Sequence, residues 1–282
     1  QFMNPIHIPS ITIKEILSNY SVVLLDSYGV LIREFGLVNG SKNLINSIID
    51  AKKSFYVLTN DASVLPKNIA SKYHKLGLNI NENNIITSGC ALKIFFKAQS
   101  LENNRCVVLG TNDTIQHVEN AGGTPVLPHD DFDSIIIGDQ SGFQFTKTIN
   151  SIINSVFNKI KKNEFINIIL LNPDVIFPIK QNIWAYGPAS IAVIISEAIK
   201  SNFPQSKNYK LSYIGKPHKY LFKMAFDINQ TKNMVMLGDQ IMTDIKGANN
   251  FGIDSVLINN LMSLNKLQEL DNELKPKFVM NL

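Results

Sequence analysis

The sequence predicts an α/β protein built on parallel sheets with helices on both faces. Three observations carry that expectation. Short aliphatic runs, among them Ser21–Asp26 (SVVLLD) and Ser54–Thr59 (SFYVLT), have the length and composition of buried strands. Between them lie stretches with apolar residues at helical spacing, such as Leu44, Ile45, Ile48 and Ile49 within 41–52. The two patterns alternate along the chain, and parallel strands need such helical crossovers.

In chain order, the Ser21–Asp26 strand precedes the 41–52 helix, the Ser54–Thr59 strand and a helix over 66–76 that opens on Pro66, a favoured first-turn residue. Further strands are expected at 105–109, 134–137 and 167–171. A helix over 189–200, a strand at 211–214 and a helix over 219–226 follow. A strand at 233–237, a helix over 243–251 and a strand at 253–258 close the series. No short-period repeat and no low-complexity linker interrupts it.

The 282 residues suffice for two domains. With 45% apolar and 18% charged residues the composition is globular. The net charge of +4 is small, and the densest basic run, KIKK at 159–162, reads as a solvated helix face, so no nucleic-acid partner is expected. Two cysteines, Cys90 and Cys106, suit a reducing compartment and buried thiols. No apolar run reaches the ~20 residues that span a bilayer, and no charged-then-apolar leader is legible. A cytoplasmic location with no membrane partner is the expectation. His74, His117 and His129 read as surface or partly buried histidines, and His218 as a helix-start residue.

Ligands of such sheets bind past the carboxyl ends of the strands. Asp26-Ser27-Tyr28-Gly29 follows the first strand and Thr59-Asn60 ends the second. Gly215-Lys216-Pro217 follows the strand at 211–214. Gly238-Asp239 follows the strand at 233–237, with Thr243-Asp244 at the next helix start. This set suits phosphoryl transfer through an aspartyl-phosphate. A carboxylate nucleophile, Asp26, needs its repulsion from a phosphate dianion offset. Magnesium, held by Asp26, Asp239 and, through water, Asp244, is the expected cofactor. Lys216 adds positive charge where the transition state spreads its negative charge, and Thr59 and Asn60 donate hydrogen bonds to phosphate oxygens.

These segments resemble the four motifs of the haloacid dehalogenase superfamily, and their order and spacing resemble its IIA branch, the NagD-type nucleotide and pyridoxal-phosphate phosphatases. The matching stretches are LLDSYGVL, VLTND, VLG-TNDTIQHVENAG, NPD at 172–174, IGKPHKYLF and MLGDQIMTDIKGANNFGIDSVLI. The resemblance implies a Rossmann-like doubly wound core, residues 1–91 and 187–282, interrupted by an inserted α/β cap over 92–186. It implies a phosphatase acting on a small phosphate monoester and a homodimer formed through the cap. It also implies a substrate-selecting role for Asn172, Asp174 and the 175–186 stretch, where Trp184 and Tyr186 could stack on an aromatic substrate.

One departure stands out. The family's first motif reads D-x-D, and its second Asp serves as general acid and then general base. Here that position is Tyr28. Its backbone carbonyl can still ligate magnesium, as the family's residue does, but the carboxyl is lost. General acid–base help is worth roughly 10²–10⁴-fold, and a phenol is a poor base at neutral pH, so turnover is expected to be impaired. A catalytically weak phosphate-ester binder or sensor is the alternative. The 2-haloacid dehalogenases of the superfamily also carry D-x-Y-G, but they use no magnesium, and the acids at 239 and 244 are retained here.

Overall fold

The computed structural model describes residues 8–180, 182–259 and 262–282, with the side chain of Leu264 left aside. The chain divides into two compact units. The first comprises 1–59, 66–86 and 216–282, and the second 60–65 and 87–215. The second unit is wider at both ends than the 92–186 segment expected for a cap.

The first unit is organised by a six-stranded sheet in the order Phe278–Met280, Asp254–Ile258, Met234–Gly238, Val22–Asp26, Ser54–Thr59, Ile85–Thr87. Val22–Asp26 is central, and its pairings with both neighbours are parallel. All five of its residues are buried, as a run of unbroken aliphatic character predicts for a strand covered on both faces. The register sets Leu25 opposite Leu237 and Asp26 opposite Leu58. Asp26 and Gly238 therefore end adjacent strands at the same edge, with Thr59 and Asp239 one step further on. The chain leaves Val22–Asp26 toward one neighbour and returns on the other side, which makes this edge a topological switch point.

The second unit has its own five-stranded parallel sheet, in the order Tyr209–Tyr213, Ile166–Leu170, Ser134–Ile137, Arg105–Leu109, Thr124–Val126. Strand alternation sends Val107, Leu109, Ile135, Ile137, Ile166, Ile168 and Leu170 to one face. There they pack with Ile149, Ile152, Val156 and Ile160 of the Phe145–Lys161 helix and Ile191, Ile195 and Ile199 of the Pro188–Asn202 helix. Cys106 points the other way, toward Val118 and Phe96 of two further helices around Gly123. The 159–162 run is not wholly solvated. Lys159 is only 9% exposed and its ammonium bonds Asp131 and Glu164 at 2.5 and 2.9 Å. His117 is buried outright, and burial lowers its pKa.

Within the expected 175–186 stretch, Ile176–Lys180 pairs antiparallel with Ile183–Tyr186 as a two-stranded ribbon carrying exposed Trp184 and Tyr186. Among the described residues no helix is long and apolar enough to cross a membrane.

Ile195→Ala tests the second unit's packing. Ile195 is fully buried against the sheet, and its truncation is expected to cost about 2–5 kcal/mol, read as a lower denaturation midpoint in urea. A change within error would mean that this helix is not held by its apolar face.

Candidate active site

The first unit gathers three carboxylates and one ammonium at the carboxyl edge of its sheet. Lys216 Nζ donates to Asp26 Oδ1 at 2.6 Å and to Asp244 Oδ1 at 2.7 Å. Lys216 is 2% exposed, Asp26 7% and Asp244 fully buried. One oxygen from each of Asp26, Asp239 and Asp244 lies within 4.8 Å of the others.

Local structure explains each placement. Asp26 closes a strand whose preceding residues are buried on both sides. Lys216 follows Gly215 and forms a cis peptide with Pro217. Asp244 lies in a π-helical turn, Ile241–Ile245, where Ile245 N donates to Gln240 O five residues back. The widened turn swings Asp244 inward, and its second oxygen accepts from Gln240 N at 3.2 Å. Two glycines make the close approach feasible. Gly29 has φ +95°, and a Cβ there would collide with the Asp239 carboxylate. A Cβ on Gly238 would collide with that of Asp244.

Electrostatics follow from burial and crowding. Burial, reinforced by the Asp26 charge, pushes Asp239 up to about 6 and Asp244 to about 7, with Lys216 opposing both shifts. Burial works against the Lys216 ammonium, but Asp244 and Asp26 outweigh it and hold its pKa above the ordinary lysine value. With all four groups ionised, three negative charges face one positive. Asp239 Oδ1 is buried and has no hydrogen-bond partner among the described residues. A buried oxygen without a partner, beside two more carboxylates, is a donor set that fits a hard divalent cation.

The remaining predicted residues are placed as follows. Thr59 ends its strand one residue past the partner of Asp26 and is buried. Asn60 belongs to the second unit, where its carbonyl accepts from Ser88 Oγ. Asn172 and Asp174 also lie there, in a turn where Asn172 Oδ1 accepts from Asp174 N at 2.9 Å. Tyr28 is 45% exposed, so its phenol is not one of the buried groups. The direct Lys216–Asp244 ion pair was not anticipated, because nothing in the sequence marks the π-turn that aims the carboxylate.

Two family models match the chain. One, described as haloacid dehalogenase-like hydrolase, covers residues 23–124, and one described as HAD-hydrolase-like covers 213–281. The chain belongs to the haloacid dehalogenase-like hydrolases. Residues 125–212 lie between the two matches. Among curated relatives, a dihydroxyacetone phosphatase of Corynebacterium glutamicum is 27% identical over 85% of this chain and 81% of its own. The ribonucleotide monophosphatase NagD of Escherichia coli is 23% identical over 89% and 91%. The match to NagD places the chain in the NagD-like branch that its motifs resemble. A solved structure from Cytophaga hutchinsonii, described as a possible sugar phosphatase of the HAD superfamily, is 25% identical and superposes with a TM-score of 0.77 over 97% of both chains. A glycerol phosphate phosphatase from Mycobacterium tuberculosis, solved with magnesium, shares the fold at 18% identity and a TM-score of 0.76, covering 94% of this chain and 75% of that one.

The raised carboxyl pKa values carry a stability consequence. In the folded protein Asp239 holds its proton to about pH 6, against about 3.9 when unfolded. Stability from the protonated form is complete below pH ~4 and is lost as pH rises through 6. Without divalent cations, Asp239→Asn is therefore expected to melt above the unaltered protein at pH 8, with the gap closing at pH 5. A gap that ignores pH would contradict the burial of this carboxyl.

Proposed function

We propose that the chain is a phosphoric monoester hydrolase that acts on a small phosphate ester through an aspartyl-phosphate on Asp26 and depends on Mg²⁺. The observation that carries this reading is the cluster of Asp26, Asp239 and Asp244 around the buried Lys216 ammonium. The relatives' activities on dihydroxyacetone phosphate and ribonucleotide monophosphates support the substrate class.

Each residue has a definable task. Asp26 is the nucleophile. Its carboxylate forms the new O–P bond while the ester O–P bond breaks and the electron pair leaves with the alkoxide. Lys216 orients the carboxylate and adds positive charge beside it. Asp26, Asp239 and Asp244, with the Tyr28 backbone carbonyl, would hold Mg²⁺, which supplies charge neutralisation between nucleophile and phosphate. Thr59 and Asn60 are assigned hydrogen bonds to non-bridging oxygens, and Asn172 and Asp174 substrate selection.

Tyr28 shapes the kinetics. Esters whose leaving groups depart without a proton give up their phosphoryl group readily, whereas alkoxides must take a proton from the phenol or from water. The second half-reaction needs a base to activate water against phospho-Asp26, and no carboxylate stands at position 28 to do it. The acyl phosphate should therefore accumulate. A phosphate-ester-binding protein with little turnover is the second reading, and Tyr28 is the feature that favours it.

The test is phosphate release from p-nitrophenyl phosphate and a panel of sugar and nucleotide monophosphates. Release requires Mg²⁺, stops with EDTA and is abolished in Asp26→Asn. Tyr28→Asp raises steady-state turnover by roughly 10²–10⁴-fold, the usual worth of a placed acid–base group. Activity that survives Asp26→Asn would remove the nucleophile assignment. An unchanged rate in Tyr28→Asp would remove the account of impairment.

A further inference from the structure

Directly behind the proposed nucleophile, Ser27 and Tyr73 share a buried hydrogen bond of 2.7 Å between their hydroxyls. Ser27 is 9% exposed and Tyr73, on the Pro66–Lys75 helix, is fully buried. Successive residues of an extended chain send their side chains to opposite sides. Asp26 reaches Lys216, and Ser27 turns away from it into the Tyr73 phenol.

Ser27 is also the hub of the turn that follows. Its carbonyl accepts from Leu31 N at 2.9 Å and from Ile32 N at 3.1 Å, while Gly29 N donates to Ile32 O at 2.8 Å. This turn presses Gly29 against the Asp239 carboxylate and carries Tyr28, whose carbonyl is assigned to the cation. One residue thus ties three things together: the end of the nucleophile's strand, the turn beside Asp239, and the Pro66–Lys75 helix.

We propose that Tyr73 is a positioning residue for the reaction, acting through Ser27 to fix the Asp26 carboxylate and the Tyr28 carbonyl. The proposal rests on the reading of Asp26 as the nucleophile. A buried tyrosine hydroxyl needs a hydrogen-bond partner, and the one it has here stands at the residue next to the attacking group. The hydroxyl pair fixes one direction for the backbone between Asp26 and Tyr28, which apolar packing alone does not do. Loss of the bond leaves the substrate's binding groups intact but loosens the attacking one. Its signature is a lower maximal first-turnover rate at an unchanged substrate concentration for half that rate.

The test compares the unaltered protein with Tyr73→Phe, Ser27→Ala and the double variant. Four readouts are taken: the maximal first-turnover rate of p-nitrophenolate release with Mg²⁺, the p-nitrophenyl phosphate concentration giving half that rate, the melting temperature, and the Mg²⁺ concentration giving half its maximal rise. Each single variant leaves one buried hydroxyl without this partner and should melt lower, and the double variant, with both hydroxyls gone, should recover. The first-turnover rate is expected to fall about tenfold in both singles and to stay about tenfold down in the double, as groups that orient a ligand typically cost. The Mg²⁺ midpoint should rise by a similar factor in all three, a readout that does not depend on turnover.

A double variant that regains both melting temperature and rate would overturn the proposal, leaving a purely structural bond. Singles at the original rate and Mg²⁺ midpoint would do the same. Asp26→Asn measured in parallel separates the two failures. If it reacts as fast as the unaltered protein, the nucleophile assignment falls. If it is dead while Tyr73→Phe is unaffected, only the positioning role falls.

Discussion

The Lys216 ammonium, buried between Asp26 and Asp244, is the constraint on which the rest of the site depends. Moving a charge out of water costs several kcal/mol per ion, and here an ammonium and two carboxylates are 7% exposed or less. The two short hydrogen bonds offset part of that cost for the lysine. They leave the acids in excess, since Asp239 joins them with no hydrogen bond to its buried Oδ1 among the described residues. The upward shifts at Asp239 and Asp244 express that excess in a single charge balance. A site so unbalanced is stable in two ways, by taking up protons or by taking up a cation. The proposed Mg²⁺ dependence corresponds to the second.

The sheet imposes this crowding. Parallel strands in register bring Asp26 and Gly238 to one edge, and the crossover reverses there. Residues far apart in sequence, 26, 216 and 244, then share one buried point. Glycine at 29 and 238 is a requirement of that closeness, since any side chain would occupy the space of an acid. The π-turn serves the same end by widening one helical turn until Asp244 faces inward.

Much of this was legible in the chain. The strands at 54–59, 105–109 and 134–137 lie where their apolar runs predict, because their polar residues stand only at the ends and mostly buried apolar residues fill the interior. The acids at 26 and 239 and Lys216 were readable as strand-end residues, and Asp244 as a helix-start residue. The helices at 88–99 and 145–161 were not. The first opens on Ser-Gly-Cys, and the second is laced with Asn, Ser and Thr, residues that compete with the helix backbone for hydrogen bonds. The ribbon at 176–186 escaped notice because it exposes Ile, Trp and Tyr rather than alternating them with polar residues. The Ser27–Tyr73 bond joins residues 46 apart, and no local pattern encodes such a partnership. Tyr28 was readable as a departure at once, since a motif reports its own exceptions.

The central claim is that Asp26 becomes covalently phosphorylated and that, with tyrosine at 28, the adduct persists. The most direct measurement is mass spectrometry of the acid-quenched protein after mixing with Mg²⁺ and p-nitrophenyl phosphate, followed by mapping of the modified peptide. The account predicts one added phosphoryl group, located on Asp26 and abundant at steady state. A protein that hydrolyses the ester while remaining unmodified, or modified at another residue, would contradict it.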